Sequence, residues 1–290
     1  MRWAIPAALV LATATLTAQA PPDIDTLLER VSTRIAEYYK RAQSVVCTEK
    51  TTVQPLANGY TPSGFARTTE SELRVEPDVA DGDGSVTTAS FVRQLVKVNG
   101  KAPREKDKND RAGCTDPNPL SAEPLAFLLP ANREGYRFTA SGFGKGKDRG
   151  ALIIEFTAAN MDGEGKLVED ERGHEGCFNV SIPTPTRGRI WVDAIGYQVL
   201  RLERHLAGIG ELKVSFALQR KHSLPNYMTI ERYDTAIRYR PITFTDPDEA
   251  MLLPESIETV VIWRNGMEST RRRQEYSDYR RFLTAGRIVK

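Results

Sequence analysis

The sequence predicts an α+β chain, mainly antiparallel β, with about ten strands and two helices. Three observations predict it. Apolar residues recur at every second position through much of the chain after Val45, the period of a half-buried strand. The strand-like segments follow one another through short turns, two of them marked by Asn99-Gly100 and Asn265-Gly266, the dipeptide that suits tight hairpin turns. A segment near the start has the three- and four-residue spacing of a helix with one apolar stripe.

Met1 to Ala20 hold a positive charge at Arg2, an apolar run from Ala4 to Ala12 and small residues ending in Ala18-Gln19-Ala20. This is the pattern of a secretory signal peptide. Pro21 opposes cleavage after Ala20, which leaves a cut after Ala18 as the alternative. A membrane anchor is excluded by length, because a span needs roughly 18 apolar residues and Pro21-Pro22 follow the run. Residues 21–290 are then expected to form a single β-rich domain.

Asp23 caps a helix that reaches about Ala42, with Ile24, Leu27, Leu28, Val31, Ile35 and Tyr39 on its stripe. Glu70 to Val75 alternates, and Phe91 to Val98 reads as a strand ended by Asn99-Gly100. Arg104 to Arg111 is a charged, solvated loop. Ser121 to Leu129 reads as a short helix, capped by Ser121, with Glu123 in its first turn and Pro130 at its end. Tyr136 to Phe143 and Ala151 to Thr157 are strands joined by the glycine-rich Gly144 to Gly150. Arg189 to Asp193 and Tyr197 to His205 make a hairpin about Ala194-Ile195-Gly196, and strands from Met228, Leu252 and Met267 complete the sheet. Such a sheet must cover one apolar face, and the leading helix has the widest stripe to cover it.

Composition excludes several function classes. The net charge of +2 falls to +1 when Arg2 is removed, so there is no long-range attraction to nucleic acid. Arginine and tyrosine interleave from Arg271 to Phe282, but on a strand that alternation gives one packed face and one solvated face. Gly142 to Lys147 lacks the glycine and the Ser or Thr that a phosphate loop requires. His174 and Cys177, near Asp170, Glu171 and Glu175, have no second ligand pair at usable spacing, so no metal is expected. His174, His205 and His222 are the only histidines and no nucleophile elbow is present, so no catalytic residue and no cofactor is assigned.

Three cysteines occur in a chain expected to enter an oxidising compartment. Cys114 and Cys177 lie in polar surroundings and are the expected pair, although three cysteines allow three pairings. Cys47, in the apolar run Val45-Val46-Cys47, is expected as a buried free thiol.

Gly188-Arg189-Ile190-Trp191-Val192-Asp193, a turn, and Gln198-Val199-Leu200-Arg201-Leu202-Glu203 resemble the central hairpin of the LolA/RseB-like superfamily of periplasmic lipoprotein carriers and envelope sensors. Leu253-Pro254-Glu255-Ser256-Ile257 and the stretch Tyr276 to Phe282 are similar to its last strands. The resemblance implies a strongly curved half-barrel with helices on its concave side, enclosing an apolar cavity that holds an acyl chain or lipoprotein. Leu28, Val31, Ile35, Tyr39 and Trp191 are the candidate lining residues. The implied function is a non-enzymatic carrier, periplasmic or secreted, without a membrane span. The alternatives are an envelope interaction or sensor module with a protein partner, and a hydrolase whose site is assembled in space.

Overall fold

The computed structural model describes residues 23–281 apart from 58–59, 81–83, 106, 108–113, 159–164, 171–176, 182–184 and 246–247, so the expected leader at 1–20 lies outside the described residues. Helix α1, Ile24–Ala42, begins where the Asp23 carboxylate accepts a hydrogen bond from Thr26 N–H at 3.1 Å. Lys40 and Arg41 sit in its last turn, where positive charge complements the helix dipole. Its stripe is buried at Leu27, Leu28, Val31, Ile35 and Tyr39.

Fourteen strands follow among the described residues: β1 (Val45–Leu56), β2 (Arg67–Val79), β3 (Val86–Val98), β4 (Leu120–Ala122), β5 (Tyr136–Phe143), β6 (Ala151–Ala158), β7 (Lys166–Glu169), β8 (Phe178–Ser181), β9 (Thr186–Asp193), β10 (Val199–Leu206), β11 (Gly210–Lys213), β12 (Tyr227–Thr245), β13 (Asp248–Trp263) and β14 (Ser269–Arg281). Twelve of them form one sheet in the order β4-β3-β2-β1-β14-β13-β12-β10-β9-β6-β5, with β11 alongside β12, while β7 and β8 pair separately. The ladders are antiparallel throughout. The sheet does not close on itself and is a curved half-barrel.

α1 packs against β2 and β3 near one end of the strand order and against β5 at the other end. One helix can touch both only from inside the curve, so it lies on the concave face, as its stripe predicts. Its residues join Leu73, Phe91, Leu128, Ile154, Ile190 and Ile237 in the main core. A smaller cluster of Leu167, Leu212, Val214 and Met228 packs with the β7–β8 hairpin and helix α2, Phe216–His222.

Three expectations need correction. Ser121 to Leu129 is not one α-helix: Ser121 lies in β4, paired opposite Phe91, and 3-10 turns follow at Ala126–Leu128 and Pro130–Gly135. Edge pairing with β3 supplies this segment with the hydrogen bonds a helix would have made, and Glu123 turns inward. Asn99-Gly100 makes the expected turn, with φ of 49° and 76°, but the strand that returns along β3 begins only at Leu120. Asn99 instead fastens to β2, its backbone N–H donating to Thr68 O at 2.7 Å and its side-chain oxygen accepting from Thr68 N–H at 2.9 Å. The strand count is higher than expected because short strands β4, β7, β8 and β11 are too brief to show a period.

Candidate functional site

β12 and β13 run for 19 and 16 residues, far beyond the ~10–12 Å width that one helix covers. α1 lies toward the end of the sheet that holds the β9–β10 and β12–β13 turns. There Arg30 donates to Tyr197 Oη at 2.5 Å, Arg34 Nε donates to Gly196 O at 3.1 Å, and Arg41 pairs with Glu249. Toward the other end the concave face holds an open-sided cavity of about 470 Å³, within the range of small-ligand sites.

One cross-strand row forms much of the cavity floor. Phe156 lies opposite Gly188, Gly188 opposite Arg204, Arg204 opposite Thr235, Thr235 opposite Thr259, and Thr259 opposite Arg272. Residues directly opposite across a ladder share a face, so the two arginines flank two threonines on the concave side. Gly188 is required in that row. A Cβ there would lie 1.9 Å from Glu203 O and 2.6 Å from the Phe156 ring, and its absence lets Phe156 spread beside Arg204. The Arg204 guanidinium stands 5.0 Å from the Phe127 centroid and 5.9 Å from that of Phe156. The next inward row, two residues along, is Leu202, Ile237, Ile257 and Gln274, and Phe91, Phe127 and Tyr136 add an aromatic wall.

The charged groups at the cavity fall into two kinds. Arg93, on β3, reaches Glu49 of β1, whose side chain is 1% exposed. Glu49 also accepts from Gln274 and from Tyr276 Oη at 3.1 Å, so the buried carboxylate is fully paired. Arg93 further donates to Asn118 O at 3.1 Å and Ser121 Oγ at 2.7 Å. Asp116 at the rim takes a two-pronged bond from Arg67, at 3.0 and 2.8 Å. Glu123 accepts from Tyr39 Oη and from Leu125 N–H at 2.6 Å. Burial lifts its carboxyl to about 7, against the pull of those donors. Arg204 and Arg272 are the other kind: among the described residues neither has a carboxylate partner, and the buried Nε of each has no hydrogen-bond acceptor.

Cys114 and Cys177 are joined, their Cα atoms 5.1 Å apart. The bridge ties the rim segment Cys114–Asn118 to the β7–β8 hairpin, which contributes Asn179 to the lining. With Cys177 so engaged, no thiolate is left for a metal, and His174, Glu171 and Glu175 lie outside the described residues. Cys47 is buried and free, and desolvation pushes its thiol up to about 12, which keeps it protonated and inert. Among the described residues neither His205 nor His222 bonds a serine or cysteine; His222 lies 2.7 Å from Glu169, which it shares with Lys221. No described helix is long and apolar enough to cross a membrane.

The five candidate lining residues do not come together. Leu28, Val31, Ile35 and Tyr39 belong to the packed core under α1, and none of them lines the 470 Å³ cavity. Ile35 borders only a crevice of about 30 Å³, and Tyr39 touches the cavity through Glu123. Trp191 is on the outer face, since Ile190 and Val192 on either side of it point into the core. Arg201 covers its ring at 4.5 Å, beside an open groove of about 570 Å³ that Lys147, Arg149 and Arg238 also border. Sequence reasoning missed Glu49, Arg93, Arg204 and Arg272. The available signal was phase: Glu49 follows Val45 and Cys47 on the inward parity of β1, and Arg272 shares parity with Gln274 and Tyr276 on β14.

No family model matches the chain, and no curated protein does. Among solved structures it is similar to an outer membrane lipoprotein-sorting protein domain from Vibrio parahaemolyticus, at 12% identity and TM-score 0.34 over 89% of this chain and 94% of that one. A LolA superfamily protein from Nitrosomonas europaea matches at 9% identity and TM-score 0.30, over 87% and 94%. A DUF1329 family protein from Desulfovibrio piger matches at 8% identity and TM-score 0.37, over 90% and 94%. The half-barrel description stands on the strand order and pairing given above.

Proposed function

We propose that the chain, exported by its leader to the periplasm or beyond, is a non-enzymatic carrier or binding protein for an amphiphile bearing an acyl chain, a free lipid or a lipoprotein. The observation that carries the reading is the cavity of about 470 Å³ on the concave face, roofed by Phe91, Phe127 and Tyr136 and floored in part by Leu202, Ile237 and Ile257. An acyl chain gains by leaving water at about 0.8 kcal/mol per buried CH₂, and a preformed concavity spares the protein most of the reorganisation that binding otherwise costs. The leader pattern and the likeness of the hairpin about Trp191 to LolA/RseB-like carriers point the same way. An interaction module would need the concave face filled by side chains, and only its α1 half is filled.

The test is purification from the periplasm, organic extraction and mass spectrometry, followed by titration with a fluorescent fatty acid. Co-purified lipid and saturable binding are expected. No extracted lipid together with no probe binding overturns the carrier reading.

A further inference from the structure

Three charged positions at the cavity are bonded from within: Arg93 by Glu49, Asp116 by Arg67, and Glu123, whose Oε2 accepts from Tyr39 and the Leu125 backbone while its Oε1 has no partner. Two are not. Arg204 and Arg272 are guanidinium groups with neither a carboxylate partner among the described residues nor an acceptor for their buried Nε atoms. The rings that flank Arg204 favour a cation over their faces but do not neutralise it. A buried donor without an acceptor is costly to the fold, so two of them in one cavity mark a place where a ligand completes the bonding.

Geometry says what kind of ligand. Arg204 and Arg272 stand at the two ends of a four-residue row whose middle members are Thr235 and Thr259. Three strand spacings separate them, roughly 14 Å between Cα atoms, a gap that two long side chains reach into from opposite ends. Guanidinium forks bind carboxylate and phosphate oxygens in pairs, and hydroxyls supply further donors. The adjoining row is apolar at Leu202, Ile237 and Ile257, so the polar row and the greasy row lie side by side on one floor.

From this we infer that the ligand carries one anionic head group, a carboxylate or a phosphate, seated between Arg204 and Arg272 above Thr235 and Thr259, with its chain along Leu202, Ile237 and Ile257 toward Phe127. The inference rests on the carrier reading and narrows it: the cavity discriminates by charge as well as by apolar length.

The test is titration of the purified, lipid-stripped protein with matched pairs: palmitic acid against its methyl ester, and lysophosphatidic acid against monoacylglycerol. The anionic member of at least one pair should bind about tenfold tighter or more, one charge-assisted bond or better, and the preference should shrink as salt rises. The better pair identifies carboxylate or phosphate. Arg272→Gln, which disturbs no ring contact, should lower the preference several-fold, and the double variant Arg204→Gln, Arg272→Gln should remove it while the neutral member still binds. If the double variant unfolds, Arg204→Lys combined with Arg272→Gln serves, because lysine keeps the charge but loses the fork. Equal binding of charged and neutral members by the wild type overturns the head-group site and leaves the carrier reading standing. Binding of no member overturns both.

Discussion

The two halves of the concave face are built from the same strands and end up unlike. Under α1 the core is nearly without voids, its crevices about 30 and 10 Å³; at the other end the same sheet leaves an open-sided cavity of about 470 Å³. Single strands record the change. Along the inward parity of β1, Val45 and Cys47 face the helix half, then Glu49 and Thr51 follow. Along β14 the inward order is Tyr276, Gln274, Arg272, and along β10 Leu202 is succeeded by Arg204. Apolar inward positions recruit a helix to cover them. Polar inward positions cannot be covered by one without leaving donors unpaired, so that half stays open and is bounded by loops.

The largest effect should come from the staple on the open half. Replacing Cys114 and Cys177 by serine frees a loop of 63 residues, which the chain-entropy estimate puts at about 4 kcal/mol. Thermal melts should fall accordingly, and probe binding should weaken more than stability alone explains, because the rim from Cys114 to Asn118 is released. Unchanged probe affinity in the folded variant would separate the rim from the site. Truncation in the filled half should act on stability alone. Leu28→Ala or Ile35→Ala is expected to cost ~2–5 kcal/mol, as for other buried aliphatics, with probe affinity unchanged once the protein is folded. Leu28→Trp sharpens the contrast: it overpacks the core, at ~1–3 kcal/mol, and should not block the distant cavity. A loss of probe affinity without loss of stability would show that the two halves are one site.

The filled half was legible in the sequence because its physics is periodic. Leu27, Leu28, Val31, Ile35 and Tyr39 all lie where a 3.6-residue repeat puts them, whereas polar surroundings favoured the pairing of Cys114 with Cys177 without choosing it among the three possible. The open half was not legible, because its residues come from β1, β3, β10, β12, β13 and β14 and meet only through register. A one-residue change of register would turn Arg204 and Arg272 outward. Trp191 illustrates the limit: the hairpin was read correctly, yet a bulky aromatic on the outer face looks the same in sequence as one on the inner face.

Glu123 sits where the halves meet and should make their boundary sensitive to pH. Burial raises its carboxyl from the ordinary 4.5 to about 7, so the folded chain binds this proton more tightly than the unfolded one. The stability it contributes is complete below pH about 4.5 and declines as pH rises to about 7, by about 3 kcal/mol in all. Glu123→Gln should flatten that part of the profile, and a wild-type minus variant difference that is level across the window would refute the assignment.

The smallest effect belongs to the outer face, where Arg201 lies over Trp191 at 4.5 Å and pairs with Glu203. The Trp191 ring is buried and Arg201 partly exposed, so the cation over it contributes about 1 kcal/mol, between the exposed and desolvated cases, and a partly exposed ion pair adds little. Arg201→Gln should therefore lower stability by about 1 kcal/mol. Because Trp191 and Arg201 point away from Ile190 and Leu202, which face the core, both Arg201→Gln and Trp191→Phe should leave fatty-acid affinity unchanged. If Trp191→Phe lowers uptake while the melting temperature holds, the ligand contacts the outer face, and the division of labour between the two concave halves no longer describes where it binds.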